Sequence, residues 1–102
     1  MTNQTFLDLR REWTELRFSV CDDKSVEYVR GSPDRLANFK RIGEQLGQRM
    51  EVILGVYLQK HLDSIFHWIA TREDGTEGIC GRIGDAQNYL DLLRAMVEEG
   101  AE

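Results

Sequence analysis

The stretch Met50-Glu51-Val52-Ile53-Leu54-Gly55-Val56-Tyr57-Leu58-Gln59-Lys60-His61-Leu62-Asp63-Ser64-Ile65-Phe66-His67-Trp68-Ile69 decides the fold. Met50, Ile53, Leu54, Tyr57, Leu58, His61, Leu62, Ile65, Phe66 and Ile69 recur at the three-and-four spacing of a helix and form one broad apolar face. Val52, Val56 and Trp68 add apolar surface on its flanks, more than a helix with one fully solvated side carries. The spacing predicts a central helix, either packed on several sides within the subunit or giving part of itself to a subunit interface.

Working toward the N-terminus, Gly47-Gln48-Arg49 reads as a turn, and Leu36, Phe39, Ile42 and Leu46 mark the buried face of a helix before it, weakened at its end by Gly43 and Gly47. Arg30-Gly31-Ser32-Pro33-Asp34 opens that helix: Gly31 ends the preceding element, Ser32 is placed as N-cap, the chain's one proline fits the first helical position, and Asp34 suits the dipole. Further back, Phe6, Leu9, Trp13, Leu16 and Val20 form one stripe of a first helix. Asp22-Asp23-Lys24-Ser25 is expected to break it, with Val26, Tyr28 and Val29 continuing as a short helix or irregular turn.

Toward the C-terminus, Arg72 to Gly84 holds four glycines, and Asp74-Gly75-Thr76-Glu77 fits a capping box with Asp74 as N-cap and Glu77 reaching back. The last helix then carries the stripe Ile79, Ile83, Ala86, Leu90, Leu93 and Val97, with Tyr89, Leu92 and Met96 beside it, before an acidic tail. No alternating strand pattern or internal repeat interrupts this. The expectation is an all-α fold: a small helical bundle of three long helices plus one or two short ones, forming a homo-oligomer. It divides into an N-terminal helical region, 1–30, and a helical core, 31–99.

The 102 residues, 41% apolar and 30% charged, suit one domain with one core. A net charge of -5, from 13 basic and 18 acidic residues, argues against nucleic acid as main partner, because gripping a phosphate backbone needs an excess of Lys and Arg. The acidity lies in residues 50–102, which hold 10 acidic residues against 4 basic. No apolar run approaches the about 20 residues of a membrane span, and the first residues lack signal-peptide character, so the expected location is the cytoplasm. Cys21 and Cys80 have neither the number nor the spacing of a disulfide framework or a zinc site, and read as ordinary thiols.

Two polar clusters can carry chemistry. Lys60, Asp63, Ser64 and His67 recur along one helical face: a cation and a hydroxyl can hold phosphate, and a carboxylate can hold Mg²⁺ or orient a water. The plainer alternative is a Lys60–Asp63 surface pair with His61 at the edge of the core. Arg82, Asp85, Asn88 and Tyr89 form the second cluster, in which Arg suits phosphate, Asn reads a base or sugar edge, and Tyr stacks a base. Its structural alternative is Tyr89 in the core and an Arg82–Asp85 helix-surface pair. Asp63, Asp85 and Glu77 are candidate ligands for a divalent metal, with solvated acids as the other reading. Gly78, Gly81 and Gly84 have the wrong spacing for a phosphate-binding glycine loop.

Asn38-Phe39, then Val56-Tyr57-Leu58-x-Lys60-His61-Leu62-Asp63-Ser64-Ile65, then Glu77-x-x-x-x-Arg82-Ile83-x-Asp85-Ala86-x-Asn88-Tyr89-Leu90, resembles small phage-encoded helical proteins of the nucleotide-modification-associated type, over roughly residues 30 to 97. A more distant resemblance is to all-α nucleotide pyrophosphohydrolases of the MazG type, which use Mg²⁺ held by glutamates and an aspartate. The paired-glutamate motif of those enzymes is missing here. The resemblance implies a bacteriophage protein acting in nucleotide metabolism or against host defence, in the host-cell cytoplasm, with a ligand containing a nucleobase and phosphate. The leading expectation is a nucleotide-binding, anti-defence oligomer that sequesters a nucleotide or cyclic-nucleotide signal with Lys60, His61, Ser64, Arg82, Asn88 and Tyr89. The alternatives are a Mg²⁺-dependent pyrophosphohydrolase using Asp63, Glu77 and Asp85, and an inhibitor that docks on a host protein through the acidic second half.

Overall fold

The structure, a computed structural model, describes residues 1–28, 33–76 and 78–100, and side chains at all of these positions but 20–28. Four helices follow in order: α1 (Asn3–Tyr28), α2 (Ala37–Leu46), α3 (Met50–Thr71) and α4 (Ile79–Gly100), with no strand among the described residues. The fold is all-α, a small bundle of three long helices and one short one.

α3 and α4 are the spine. Ser64 meets Arg82, His61 lies beside Asp85, and Tyr57 stacks on Tyr89, so each step back along α3 is matched by an equal step forward along α4. The two helices are therefore antiparallel. Leu36, Leu54 and Met96 close the core where α2 crosses this pair, with Phe39, Met50, Tyr89, Leu92 and Leu93 packed around them. Burial of side chains such as Leu54 and Met96 stabilises by about 1.5–3 kcal/mol each.

The α4 stripe drawn from the sequence is rotated in the structure. Ala86 and Met96 are buried and Tyr89, Leu92 and Leu93 half-buried, whereas Ile83, Leu90 and Val97 are exposed. The side of α4 that carries a ring and a flexible thioether fills the space between α2 and α3, and the aliphatic row beside it is left out. Leu46 is likewise exposed on α2, and Gly43 is buried in its place.

The turn after α2 is as expected and explains Gly43. Gly47 adopts the left-handed conformation (φ 66°), its amide donates to Glu44 O, and the Gln48 amide donates to Gly43 O at 2.8 Å, which closes the helix as a Schellman motif. The chain folds back so closely that a Cβ on Gly43 would stand 2.6 Å from Gln48 O.

Two boundaries differ from expectation. α1 runs through Asp22–Ser25 without a break: such residues cost a helix interior well under 1 kcal/mol each, and neither glycine nor proline occurs before Gly31. Thr2 caps its start, its Oγ1 accepting from the Thr5 amide at 3.1 Å. α2 begins at Ala37 rather than at Pro33, because Asp34 captures the chain first: its Oδ1 accepts from the Leu36 amide and its carbonyl from the Ala37 amide. Ser32, the expected cap, and Gly31 lie outside the described residues.

The described side chains of α1 are mostly exposed. Phe6, Trp13, Leu16 and Phe18 are exposed, and Leu9 is half-buried; the side chain of Val20 lies outside the described set. Among the described side chains, Arg17 ties α1 to α4: its Nη1 donates to Asp91 Oδ2 at 2.6 Å and to Asn88 Oδ1 at 3.3 Å.

Gly43→Ala is expected to destabilise the protein by about 1–3 kcal/mol, because the new methyl meets backbone and not a yielding side chain. Urea unfolding measures this as a lower midpoint at unchanged slope.

Lys40 bridges Asp34 Oδ2 (2.7 Å) and Glu99 Oε1 (2.5 Å), joining the entry to α2 with the end of α4. The Lys40 ammonium and the Leu36 amide hold the Asp34 carboxyl below its ordinary value, and Asp34 and Glu99 hold Lys40 above its own. A depressed carboxyl adds stability that is present above the unfolded pKa and is lost as pH falls through the folded one. A raised lysine adds stability present below its unfolded pKa and lost as pH rises through the folded one. At low salt, Asp34→Asn should reduce the drop in Tm that the wild type shows on acidification below about pH 4. Equal drops in the two proteins would mean that the bridge contributes nothing.

Candidate functional site

Where α3 ends and α4 begins, the chain reverses through a tightly bonded loop. The Arg72 amide donates to Trp68 O at 2.6 Å with Arg72 itself left-handed (φ 60°). Thr71 Oγ1 donates to His67 O and accepts from the Glu73 amide. Asp74 Oδ1 accepts from the Ile79 amide at 3.0 Å, so Asp74 serves the start of α4 from within the loop and not as the expected N-cap, because the helix begins only at Ile79; Glu77, the other half of the expected capping box and an expected metal ligand, lies outside the described residues.

The reversal leaves a cavity of about 250 Å³ lined by Asp63, Ser64, His67 and Trp68 of α3, by Glu73, Asp74 and Gly75 of the loop, and by Ile79 and Arg82 of α4. Arg82 is the organising group. Its Nη1 donates to Ser64 Oγ at 2.9 Å, and Ser64 Oγ in turn donates to Lys60 O. The other edge of the guanidinium lies against the loop backbone, so that a Cβ at Gly75 would come within 2.7 Å of Arg82 Nη2. On the opposite wall His67 Nε2 stands 3.5 Å from Glu73 Oε2. Three carboxylates and one guanidinium line the cavity, which makes it acidic overall with one cationic group held in place by Ser64.

The expected site residues fall into three groups. Ser64, Arg82 and Asp63 come together at this cavity with His67, and Asp63 also accepts from Gln59 Nε2 at 2.7 Å. His61, Asp85 and Tyr89 form an inner group instead. His61 lies 5.2 Å from the Tyr89 ring centroid, and its Nδ1 is 4.0 Å from Asp85 Oδ2, too far for a hydrogen bond, which leaves that buried nitrogen without a protein partner. Tyr89 is core, as its structural alternative has it, stacked on Tyr57 with Phe39 edge-on to both. Lys60 and Asn88 stand apart from the cavity. Lys60 is exposed on the outer side of α3, along a shallow depression shared with Val52, Gly55 and Val56, and Asn88 accepts from Arg17. Among the described residues no three His, Cys, Asp or Glu side chains converge as metal ligands.

Trp68, Glu73 and Gly75 are the cavity residues that sequence reasoning missed, and Asp74 and Ile79 were read only for their place in α4. The signal for Trp68 was its position one turn after Ser64 on the same face. The loop residues carry no such periodic signal. Comparison of the chain with protein families, with curated proteins and with solved structures finds no match in any of the three. No helix among the described residues is long and apolar enough to cross a membrane.

His61→Leu is expected to raise stability by about 1 kcal/mol, because it removes an orphaned polar atom from an aromatic surround at similar volume. A chemical denaturation curve with a lower midpoint than wild type would show that His61 Nδ1 is in use.

Proposed function

We propose that this chain binds a small nucleotide in the cavity between the end of α3 and the start of α4, with Arg82 and Ser64 on the phosphate and Trp68 against the base. The observation that carries this reading is the Arg82 guanidinium, bonded to Ser64 on one side and laid against Gly75 on the other, at the wall of a cavity that also contains an indole. A planar fork so fixed recognises a phosphate or carboxylate in two-pronged fashion, and an indole offers a face for a flat ring. Asp63 and Asp74 supply acceptors for ribose hydroxyls or an exocyclic amine.

The same carboxylates limit the ligand. With Asp63, Glu73 and Asp74 lining the cavity, a bare triphosphate meets repulsion that a single phosphate on Arg82 avoids. The reading therefore favours a mononucleotide or cyclic nucleotide over a nucleoside triphosphate. The motif resemblance to nucleotide-modification-associated phage proteins supports the same ligand class and suggests a role, sequestration of a nucleotide signal of host anti-phage defence.

Calorimetric titration with nucleoside monophosphates, cyclic nucleotides and triphosphates tests this. Binding is expected for the first two classes, and Arg82→Ala should weaken it by about tenfold or more, the loss typical of a charge-assisted hydrogen bond. An Arg82→Ala protein of wild-type affinity, or no binding by any nucleotide, overturns the assignment.

A further inference from the structure

α3 carries two apolar seams, and the fold uses one. The inner seam, with Leu54, Tyr57 and His61, packs on α4 and α2. On the opposite side Val52, Gly55, Gln59, Leu62, Phe66 and Ile69 repeat at three, four, three, four and three, the heptad pattern by which a helix meets another helix. Phe66 at 62% exposure, Ile69 at 62% and Val52 at 38% leave much of this side open, while Leu62 is half-buried.

The surface area says how much is left uncovered. A folded monomer of 11.8 kDa is expected to expose about 5,900 Å², and this chain exposes 7699 Å². The excess, roughly 1,800 Å², is spread over the chain, the exposed side chains of α1 included, and leaves room for the about 800 Å² that each partner contributes to a standard interface. The Cα radius of gyration, 15.5 Å, likewise exceeds the about 13 Å of a compact chain of this length.

We propose that the outer seam of α3 is a homodimer interface in which α3 packs antiparallel on the α3 of a second copy, about a two-fold axis passing between Gln59 and Leu62. In that register Val52 faces the partner's Ile69, and Gly55 faces the partner's Phe66. This sets the smallest residue of the seam against its largest. A parallel register sets glycine on glycine and phenylalanine on phenylalanine, leaving a gap beside a bulge. Gly55 supports the antiparallel choice independently. It sits inside an exposed helix, where glycine is unfavourable relative to alanine, and a Cβ there would meet nothing within 4 Å in its own chain. The ring from the second copy is the close neighbour that a glycine admits.

Charge sets the same direction. Glu51 flanks the seam at the start of α3 and Arg72 flanks it just past the end, so that antiparallel pairing brings Glu51 to the partner's Arg72 at both ends, while parallel pairing brings like to like.

Sedimentation equilibrium of the wild type is expected to give twice the 11.8 kDa chain mass. Phe66→Glu should weaken the dimer at least about 100-fold with helical circular dichroism retained, because Phe66 is exposed in the single chain. Glu51→Arg and Arg72→Glu should each weaken it by about tenfold, and the double reversal should restore wild-type affinity. A wild type that stays at chain mass at 100-fold dilution series up to its solubility, or a Phe66→Glu protein as dimeric as wild type, overturns the interface. A double reversal no tighter than the single ones overturns the antiparallel orientation.

Discussion

The stacked rings of Tyr57 and Tyr89, nearly parallel at 5° with centroids 6.1 Å apart, fix how α3 and α4 slide along one another. Phe39 stands edge-on to both, at 6.1 Å and 6.5 Å, and so brings α2 to the same point. Offset-stacked and edge-to-face rings have preferred separations and angles, unlike aliphatic contacts that tolerate a shift of register. With this pair placed, His61 falls beside Asp85 one turn further on, and Ser64 reaches Arg82 a turn beyond that. The cavity at the end of the spine is thus aligned by an aromatic contact two turns away.

The three-helix core and the cavity make different demands on the chain. The core needs a narrow set of residues, Leu36, Leu54 and Met96 with their half-buried neighbours, and leaves many large apolar side chains in contact with solvent. The cavity needs a loop that returns sharply, and the left-handed Arg72, the Thr71 side chain and Asp74 each bind a backbone group to enforce that return. Arg82 belongs to both regions, since it leaves α4 within the helical register and is seated by Ser64 and by the absence of a side chain at Gly75.

α3 and its turn from α2 were legible because hydrophobic spacing and a glycine at a left-handed position are local signals. The unbroken α1 was not: Asp22, Asp23, Lys24 and Ser25 favour caps, yet without a glycine or proline their small preferences lose to helix propagation. The rotation of α4 was hidden because its apolar surface is broad enough to offer two rows, and only the rings of Phe39 and Tyr57 select between them. At the cavity, Ser64 and Arg82 were legible as polar residues at helical spacing. Asn88 shares that spacing, and its partner Arg17 lies 71 positions earlier in a helix whose docking no local pattern reveals.

That separation has a consequence for the order in which the protein is made. α2, α3 and α4 follow one another and meet through short connections, so their contacts form between neighbours and are quick to close. α1 leaves the ribosome before α4, and its anchoring partners Asn88 and Asp91 follow Arg17 by 71 and 74 positions. Until α4 emerges, α1 lacks this dock and shows Phe6, Trp13, Leu16 and Phe18 to whatever surrounds the nascent chain. α1 is made before its dock, and the interval between those events leaves the chain open to holdase chaperones and to mispairing with its neighbours on a polysome.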